Sequence, residues 1–485
     1  MERPWISFYG PSVRAEIDEL PFRNLADLVS HTASIYGEAP AFTVCLPNGM
    51  NGTLSFRQVD EMSTALAAYL REVAGLQQGD RVALQAPNGL PFPVVAFGVF
   101  KAGCVLVNVN PLYTAEEMAR QFADCKPSAL VIVDMFADKL PEALKGHHIP
   151  TVIVTRVAEF MPSLPKMIVG AVQKYWDKTI HPVDVAHIRL PDAIAAGAAR
   201  RDAGKIGAGS YTTSVDPDDI ACLQYTGGTT GVSKGAMLSH RNIIMNMAQT
   251  MEMISGVKKG EEVALTALPM YHIFAFTVNL IGFYWLGARN ILIPNPRPLS
   301  NLKRAFENYK ITWMSGVNTL FNGLSSEVWF LDTPPKHLKF ASAGGMALQK
   351  AVAERWEEIT GKPVLEGYGL TESSPVITFN PLGRTRSNSI GVPVPSTDVA
   401  CLDARGKPVA QGEAGELAAR GPQVMLGYWN RPEETKQTIR DGWLLTGDIA
   451  TMDADGYFRI VDRKKDMVLV SGFNVYPNEI EDCLA

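Results

Sequence analysis

The sequence predicts an α/β protein with a large N-terminal domain of two helix-covered, largely parallel sheets plus a small β-barrel-like region. Three features predict it. From residue 55 to about 370, short apolar segments bounded by turn residues alternate with helix-length segments, as in parallel sheets covered by helices. Near residue 376 the segments become shorter and are interrupted by glycine and proline, which indicates antiparallel strands. A new helical pattern just before residue 485 predicts the start of a small α+β C-terminal domain.

Individual elements follow from local patterns. Apolar residues recur at helical spacing over 57–73, which predicts an amphipathic helix. A second helix is predicted over 242–253. The predicted strands of the first part are 81–87, 129–133, 151–155, 220–226, 263–269, 311–317 and 338–343. Those of the second part are 389–392, 398–402, 416–419, 443–446 and 457–461.

Composition and charge exclude several classes of protein. Of 485 residues, 46% are hydrophobic and 20% charged, which is the composition of a globular protein. A net charge of −5 leaves no basic footprint for nucleic acid. None of the six cysteines forms a CxxC pair, and the N-terminus begins no apolar run. We therefore expect a cytoplasmic protein with reduced thiols and no secretory signal.

Two segments raise the question of membrane contact. The window 275–294 contains asparagine, arginine and two glycines, so a buried helix followed by a strand at 291–293 is the better interpretation. The segment 160–178 places apolar side chains among three lysines. Either it is an interfacial amphipathic helix on the inner face of the cell membrane, or a surface helix that packs its apolar face on its own domain.

The segment with the clearest chemistry is 225–235, Tyr-Thr-Gly-Gly-Thr-Thr-Gly-Val-Ser-Lys-Gly. Its glycines let backbone N–H groups approach a ligand, its hydroxyls add donors, and its lysine adds positive charge, a combination that suits a polyphosphate. The alternative is a mobile linker, but a linker seldom follows an apolar strand directly and leads into a helix. The P-loop of ATPases has a different spacing.

Further motifs follow in a fixed order. They lie at 269–274, 343–345, 367–372, 415–417, 446–448, 462–466 and 470–473. With the glycine-rich segment, they make the chain resemble the adenylate-forming superfamily of acyl-CoA synthetases, luciferases and peptide-synthetase adenylation domains over nearly its whole length. The segments 107–114, 316–321 and 441–448 resemble bacterial long-chain fatty-acid–CoA ligases.

The resemblance implies ATP-dependent conversion of a long-chain fatty acid to an acyl-adenylate and then to a CoA thioester, with ATP, Mg²⁺ and coenzyme A required. Two alternatives remain open. One is an aryl-acid or medium-chain ligase of the same superfamily. The other is a nucleotide- or acyl-binding protein with little turnover.

The resemblance also assigns roles to residues. It implies a catalytic group of Lys234, His272, Thr371 and Glu372, with Mg²⁺ held by Glu372 and Thr226. Each assignment has a plainer alternative: His272 could be a core histidine, Tyr368 a core aromatic residue, Asp448 a turn residue and Glu372 a surface carboxylate. The implied ATP-binding residues are Thr226, Gly227, Gly228, Thr229, Thr230, Gly231, Ser233, Lys234, Gly345, Tyr368, Thr371, Asp448 and Arg463. The implied acyl pocket contains Tyr271, Phe274, Val317 and Phe321, about half of which could be ordinary core residues.

Residues 1–462 are thus expected to form the AMP-binding domain, with a β-rich region at about 376–462. Residues 463–485 would form the hinge and the beginning of a C-terminal lid, with Lys465 at the hinge and Gly472 in a loop used for thioester formation. We expect the rest of the lid, with a lysine that contacts the α-phosphate, to lie beyond residue 485 and turnover without it to be slow. A homodimer is a further expectation.

Overall fold

The fold contains two large sheets and a smaller antiparallel one. The computed structural model describes residues 2–226, 233–254, 256–464, 468–470 and 473–475. In spatial order, the eight-stranded sheet consists of Gly427–Tyr428, Gly235–Ser239, Ile220–Tyr225, Val105–Asn108, Arg81–Gln85, Ala129–Val133, Thr151–Thr155 and Ile188–Arg189. The six strands from Ile220–Tyr225 onward run parallel.

The nine-stranded sheet also has a parallel centre of six strands with antiparallel strands at its edges. Its order is Val392–Pro393, Val376–Phe379, Val364–Gly369, Phe340–Ala343, Trp313–Gly316, Val263–Thr266, Arg289–Leu292, Pro40–Cys45 and Asn51–Ser55. The third sheet is wholly antiparallel and contains Asp398–Leu402, Gly415–Arg420, Trp443–Met452, Ile439–Arg440 and Phe458–Arg463. Val468–Val470 pairs with Phe473–Val475.

Helices cover the sheets. The α-helices are Leu25–Tyr36, Phe56–Ala68, Pro91–Lys101, Ala115–Cys125, Leu140–Ala143, Ser163–Ala171, Leu190–Gly204, His240–Met253, Ile273–Ala275, Lys303–Asn308, Asn318–Leu324, Val328–Asp332, Lys350–Thr360 and Pro432–Thr438. Three π-helical segments, Tyr69–Val73, Val172–Trp176 and Phe276–Phe283, continue α-helices. Short 3₁₀ helices span Pro4–Phe8, Asp134–Lys139, Leu299–Leu302 and Thr371–Ser373.

One hydrophobic core contains residues from both large sheets. The helix Pro91–Lys101 is buried at every position, as expected for a helix that is apolar on all sides. Its Phe97 ring lies 4.9 Å from the ring of Tyr284, which stacks on Phe42 at 5.7 Å. Because Phe42 belongs to the nine-stranded sheet, these aromatic contacts join that sheet to the helix Pro91–Lys101.

The structure confirms the predicted fold class and locates a strand in each predicted strand segment, but it corrects two details. The glycine-rich segment does not lead directly into a helix. The strand Gly235–Ser239 lies between the segment and the helix, and it pairs antiparallel with Ile220–Tyr225. Its alternate residues Ala236 and Leu238 are buried, so the strand adds to the sheet. The second correction concerns residues 376–393. Val376–Phe379 pairs with Val364–Gly369, and Val392–Pro393 pairs with Val376–Phe379, so both strands extend the nine-stranded sheet.

The two segments considered for membrane contact differ. Phe276–Phe283 is wholly buried, and the strand Arg289–Leu292 follows it, as predicted. The segment 160–178 forms the helix Ser163–Ala171 and its π-helical continuation. Met161 and Val169 are buried, but most of the large apolar side chains of the helix and its continuation are exposed to solvent. In the part of the chain that the structure describes, no helix has the length and apolar character needed to cross a bilayer.

The helix His240–Met253 holds the three sheets together through a row of buried amides. It begins with a capping box between Ser239 and Asn242. Asn242 donates to the carbonyls of Pro422 and Val424, at 2.8 and 2.9 Å. One turn later Asn246 accepts from the backbone N–H of Val376 at 2.9 Å and donates to its carbonyl at 2.7 Å. These bonds connect segments that are far apart in the sequence.

We expect Asn246→Ala to lower the free energy of unfolding by about 3 kcal/mol, because it leaves the buried N–H of Val376 without its side-chain partner. Urea denaturation monitored by circular dichroism measures this. Met245→Leu on the same helix keeps the volume and should cost less than about 1.5 kcal/mol. Equal losses in the two variants would contradict the assigned role of the amide.

His240, the first residue of the same helix, should make stability depend on pH. Its side chain is buried, its Nδ1 accepts from the backbone N–H of Leu25 at 3.2 Å, and burial lowers its pKa from 6.5 to about 3. Below about pH 6.5 the unfolded chain therefore binds a proton that the folded chain does not. Stability should fall as the pH falls, by about 1 kcal/mol from this group between about pH 6.5 and 5.5.

The variant His240→Asn keeps an acceptor for Leu25 but does not titrate. Urea denaturation at both pH values should therefore give the variant a smaller loss of stability than the wild type, by about 1 kcal/mol. The same pH dependence in both proteins would show that His240 does not contribute.

Candidate active site

A cavity of about 740 Å³ lies at the carboxyl ends of strands from both large sheets. Its wall includes residues at or just after the ends of Ile220–Tyr225, Phe340–Ala343 and Val364–Gly369. Ligands of open parallel sheets bind at this edge. The predicted residues that line it are Thr226, Lys234, His272, Phe274, Gly345, Tyr368, Thr371 and Glu372.

The two ends of the glycine-rich segment are held together at this cavity. The N–H of Thr226 donates to the carbonyl of Lys234 at 3.0 Å, and the hydroxyl of Ser233 donates to the carbonyl of Thr226. The segment therefore connects two antiparallel strands, and its described residues Thr226 and Lys234 lie on the cavity wall. Gly227, Gly228, Thr229, Thr230 and Gly231 lie outside the described residues.

Glu372 is positioned by both its backbone and its carboxylate. It lies in the 3₁₀ turn Thr371–Ser373 that follows Val364–Gly369, and its carbonyl accepts from the N–H of Met425 at 2.8 Å. The Tyr428 hydroxyl donates to its Oε1 at 2.5 Å, and the Lys234 ammonium lies 5.0 Å from the centre of the Tyr428 ring. Burial, together with the negative charge of Glu372, raises the pKa of Tyr428, so the phenol remains a donor. Tyr428 thus connects the predicted carboxylate with the predicted lysine.

Sequence reasoning missed Tyr428. It begins the segment Tyr428-Trp429-Asn430-Arg431-Pro432, whose concentration of aromatic and basic residues between a glycine and a helix start was an available signal. Arg431, which precedes the helix Pro432–Thr438, and Glu434 within that helix also line the cavity. Arg431 lies 3.3 Å from Asp124 of the helix Ala115–Cys125.

A second polar group consists of Tyr368, Asp448 and Arg463. The Tyr368 hydroxyl donates to Asp448 Oδ2 at 2.5 Å, and Arg463 Nε lies 3.8 Å from Asp448 Oδ1. Asp448 and Arg463 face each other on adjacent strands of the third sheet. Burial raises the pKa of Asp448, and the bond from Tyr368 and the charge of Arg463 oppose that shift. The structure therefore brings all three predicted nucleotide residues together, with Tyr368 on the cavity wall.

Two glycines shape the wall near this group. Gly345 has φ +81°, a left-handed conformation that favours glycine, and a Cβ there would meet no atom within 4 Å. At Gly369, a Cβ would lie 1.9 Å from the carbonyl oxygen of Pro375, so no side chain fits. The wall is therefore open at Gly345 and tightly packed at Gly369.

His272 faces the cavity at the start of the short helix Ile273–Ala275. Its Nδ1 accepts from the N–H of Phe274 at 3.4 Å, so the proton of the neutral ring lies on Nε2. Solvent reaches the ring through the cavity, while the protein atoms packed around it partly desolvate it and lower its pKa below the usual 6.5. The ring is neutral at pH 7 and can donate from Nε2.

The loop before His272 is fixed by two buried amides that the sequence did not reveal. Asn88 donates to the carbonyl of Leu268 at 2.9 Å and accepts from the N–H of Met270 at 2.8 Å. Gln224 donates to the carbonyl of Tyr271 at 2.9 Å. Asn88 follows the strand Arg81–Gln85, and Gln224 lies near the end of Ile220–Tyr225, both in the eight-stranded sheet. Their hydrogen bonds therefore hold the loop before His272, which follows a strand of the nine-stranded sheet, against the eight-stranded sheet.

The apolar wall differs in part from the predicted acyl pocket. Phe274 lines the cavity together with residues not predicted for it, Thr250, Ile254, Trp313 and Phe379, and with Val278. Phe321 is buried elsewhere, edge-on to Trp356 with ring centres 4.9 Å apart, and Val317 packs against the same core. Tyr271 is half-buried and is not among the residues that line the cavity. Lys465 and Gly472 lie outside the described residues.

The donors on the cavity wall fit Mg²⁺. Glu372 and Thr226, which both carry side-chain oxygen atoms, line the same cavity. Mg²⁺ is usually held by one or two carboxylates, with substrate phosphates and water completing the octahedron, and does not need a cluster of protein ligands. Over the described ranges, no group of three or more His, Cys, Asp or Glu side chains could hold a metal ion. The carboxylate of Glu372, on the same wall as Thr226 and Lys234, is therefore compatible with this mode of Mg²⁺ binding.

Comparison with known proteins places the chain among nucleotide-dependent acyl-activating enzymes. The chain is 46% identical to a long-chain-fatty-acid–CoA ligase of Salmonella typhimurium, over 99% of its own length and 84% of that protein's. Its structure is similar to that of ATP-bound MatB from Rhodopseudomonas palustris, with a TM-score of 0.78 and 28% identity over 95% of this chain and 82% of the other.

A third match shows the fold alone. The anthranilate CoA ligase AuaEII in complex with anthranoyl-AMP has a TM-score of 0.82 at 24% identity, over 96% of this chain and 82% of that one.

The family model described as AMP-binding enzyme matches residues 29–429, which include most of the chain and nearly all of the cavity wall. The chain belongs to the family of AMP-binding enzymes.

Proposed function

We propose that this protein activates long-chain fatty acids, first as acyl-adenylates and then as CoA thioesters, with release of pyrophosphate and AMP. The observation that carries the proposal is one cavity in which a lysine-bearing hairpin, a carboxylate and an apolar wall meet. Extensive identity to a long-chain-fatty-acid–CoA ligase supports the acyl class.

The first step joins the fatty-acid carboxylate to the α-phosphate of ATP and breaks the bond to pyrophosphate. Two like charges about 4 Å apart repel by about 4 kcal/mol at an effective dielectric of about 20, so the site must supply positive charge and oriented donors. Thr226, Ser233 and Lys234, with the loop 227–231, are proposed to hold the β- and γ-phosphates, and Thr371 the α-phosphate. Lys234 supplies the positive charge.

Mg²⁺ held by Glu372 and Thr226 would neutralise phosphate charge when it is bound. Neutral His272 is proposed to donate from Nε2 toward the acid carboxylate at the mouth of the acyl site.

The second step transfers the acyl group: the thiol of coenzyme A attacks the carbonyl carbon of the adenylate, the bond to AMP breaks, and the thiol proton leaves to solvent.

The nucleoside end of ATP is proposed to bind beside Tyr368, Gly345, Asp448 and Arg463. The Tyr368 ring offers an aromatic face for adenine, and Gly345 keeps the adjacent wall open. The Asp448 carboxylate can accept from two ribose hydroxyls, and Arg463 can donate to the same sugar.

The wall formed by Ile254, Phe274, Val278 and Trp313 is proposed to hold the acyl chain. Each CH₂ buried there contributes about 0.8 kcal/mol, so longer acids should bind more tightly until the cavity is filled.

We assign residues 1–462 to the AMP-binding domain and 463–485 to the hinge and the beginning of the lid. A cytoplasmic location and a homodimer remain predictions.

The test of this function is ATP–pyrophosphate exchange and acyl-CoA formation with a series of saturated acids and with aryl acids. We expect exchange to depend on the acid and to favour long chains over medium-chain and aryl acids. Val278→Phe removes volume from the cavity and should reduce exchange with long acids more than with short ones. Preference for an aryl acid would replace the proposed substrate class, and ATP binding without exchange would indicate a binding protein.

A further inference from the structure

The helix formed by Ser163–Ala171 and its continuation Val172–Trp176 presents its apolar side to solvent. Its exposed large apolar residues are Leu164, Met167, Ile168, Val172, Tyr175 and Trp176, which we call the outward stripe. Trp176 is 85% exposed and Met167 65% exposed. The apolar stripe of a surface helix normally faces the core, so this helix has the opposite orientation.

The helix is fixed in that orientation by its other side. Of residues 163–176, all of which the structure describes, Val169 alone is buried. Lys166 pairs with the buried carboxylate of Glu159, which also lies 3.4 Å from Arg189 of the strand Ile188–Arg189. The helix therefore cannot turn the outward stripe inward without breaking this ion pair and exposing Val169.

Charge and side-chain type together indicate what the stripe contacts. Residues 163–181 contain three lysines and one aspartate, a net charge of +2 in a chain whose net charge is −5. Exposed Lys174 and Lys178 lie beside Tyr175 and Trp176 at the C-terminal end. Lysines around an apolar face, with aromatic residues that have both apolar and polar parts, are typical of helices that lie in the surface of an anionic bilayer.

A protein partner fits these residues less well. Lysine is depleted in protein–protein interfaces, whereas basic side chains beside an apolar stripe are attracted to acidic lipid headgroups. We propose that the outward stripe is a membrane-binding surface that inserts into the headgroup region of a bilayer containing anionic phospholipids. This proposal is independent of the proposed function, because it depends on this helix alone.

The test is co-sedimentation of the full chain with vesicles of phosphatidylcholine alone or mixed with phosphatidylglycerol. The wild type should bind the anionic vesicles more tightly. The triple variant Met167→Gln, Val172→Gln and Trp176→Gln should weaken that binding at least tenfold, because apolar insertion is lost. Lys174→Gln with Lys178→Gln should weaken binding to anionic vesicles about tenfold or more and leave binding to phosphatidylcholine unchanged.

The matched control replaces three other exposed apolar residues, Leu112→Gln, Val328→Gln and Leu331→Gln, and should bind vesicles as the wild type does. Thermal unfolding by circular dichroism checks that every variant is folded. Equal vesicle binding by the wild type and the stripe variant would overturn the proposal. So would a wild-type dimer that the stripe variant converts to monomer without any vesicle binding, because the stripe would then be an interface between two copies of the chain.

Discussion

Replacing Glu372 with glutamine should lower the rate of ATP–pyrophosphate exchange by about 10²–10³-fold, the range measured for the loss of single electrostatic stabilisers. The substitution keeps the size of the side chain and an oxygen that can accept from Tyr428, so the local structure should persist. It removes the negative charge that is proposed to hold Mg²⁺. The concentration of Mg²⁺ needed for half-maximal exchange should therefore rise.

The matched control is Glu434→Gln, which removes the charge of another carboxylate on the same cavity wall. Glu434 lies 3.9 Å from Arg431 and is given no role in binding Mg²⁺, so its loss should have a small effect. Exchange should be followed over a range of Mg²⁺ concentrations for both variants. Near wild-type rates for Glu372→Gln at low Mg²⁺ would show that this carboxylate does not hold the ion.

Replacing Asp448 with alanine should weaken ATP binding by about 10²-fold and leave fatty-acid binding unchanged. Hydrogen bonds to a charged group contribute about 1.5–3 kcal/mol each, and the carboxylate is proposed to accept from both ribose hydroxyls. Its present partners are Arg463 and the hydroxyl of Tyr368, and Tyr368 lies on the cavity wall, so the carboxylate is held next to that wall. Isothermal titration calorimetry with ATP, AMP and a fatty acid measures each affinity separately.

Glu416→Gln is the control for Asp448→Ala. Glu416 lies on the adjacent strand of the third sheet and pairs with Lys464 at 2.7 Å, so this variant removes a charge nearby without touching Tyr368. It should change ATP affinity little. An unchanged ATP affinity in Asp448→Ala would mean that the carboxylate only stabilises the turn after Thr446, whose hydroxyl accepts from the N–H of Asp448 at 3.2 Å.

The sequence alone predicted the fold class, because burial on both faces of a parallel strand leaves a continuous apolar run that can be recognised locally. It also predicted Thr226, Lys234, Tyr368 and Glu372, which line one cavity although up to 146 positions separate them. Motifs made this prediction possible because each of these four residues lies within a few positions of a strand end. Short runs of glycine and polar residues at strand ends are visible without knowledge of the packing.

The tertiary structure alone decided which side chains meet across the sheets. Tyr428, Asn88 and Asn246 contact partners 56 to 182 positions away, and no local pattern identifies such partners. Apolar residues such as Trp313 and Phe321 look alike in sequence, but one lines the cavity and the other packs against Trp356. The helix 163–176 shows the same limit: its periodicity predicted an apolar face, and only its anchoring at Glu159 and Val169 turned that face to solvent. Periodicity gives the separation of polar and apolar sides, whereas the direction of each side depends on contacts with distant parts of the chain.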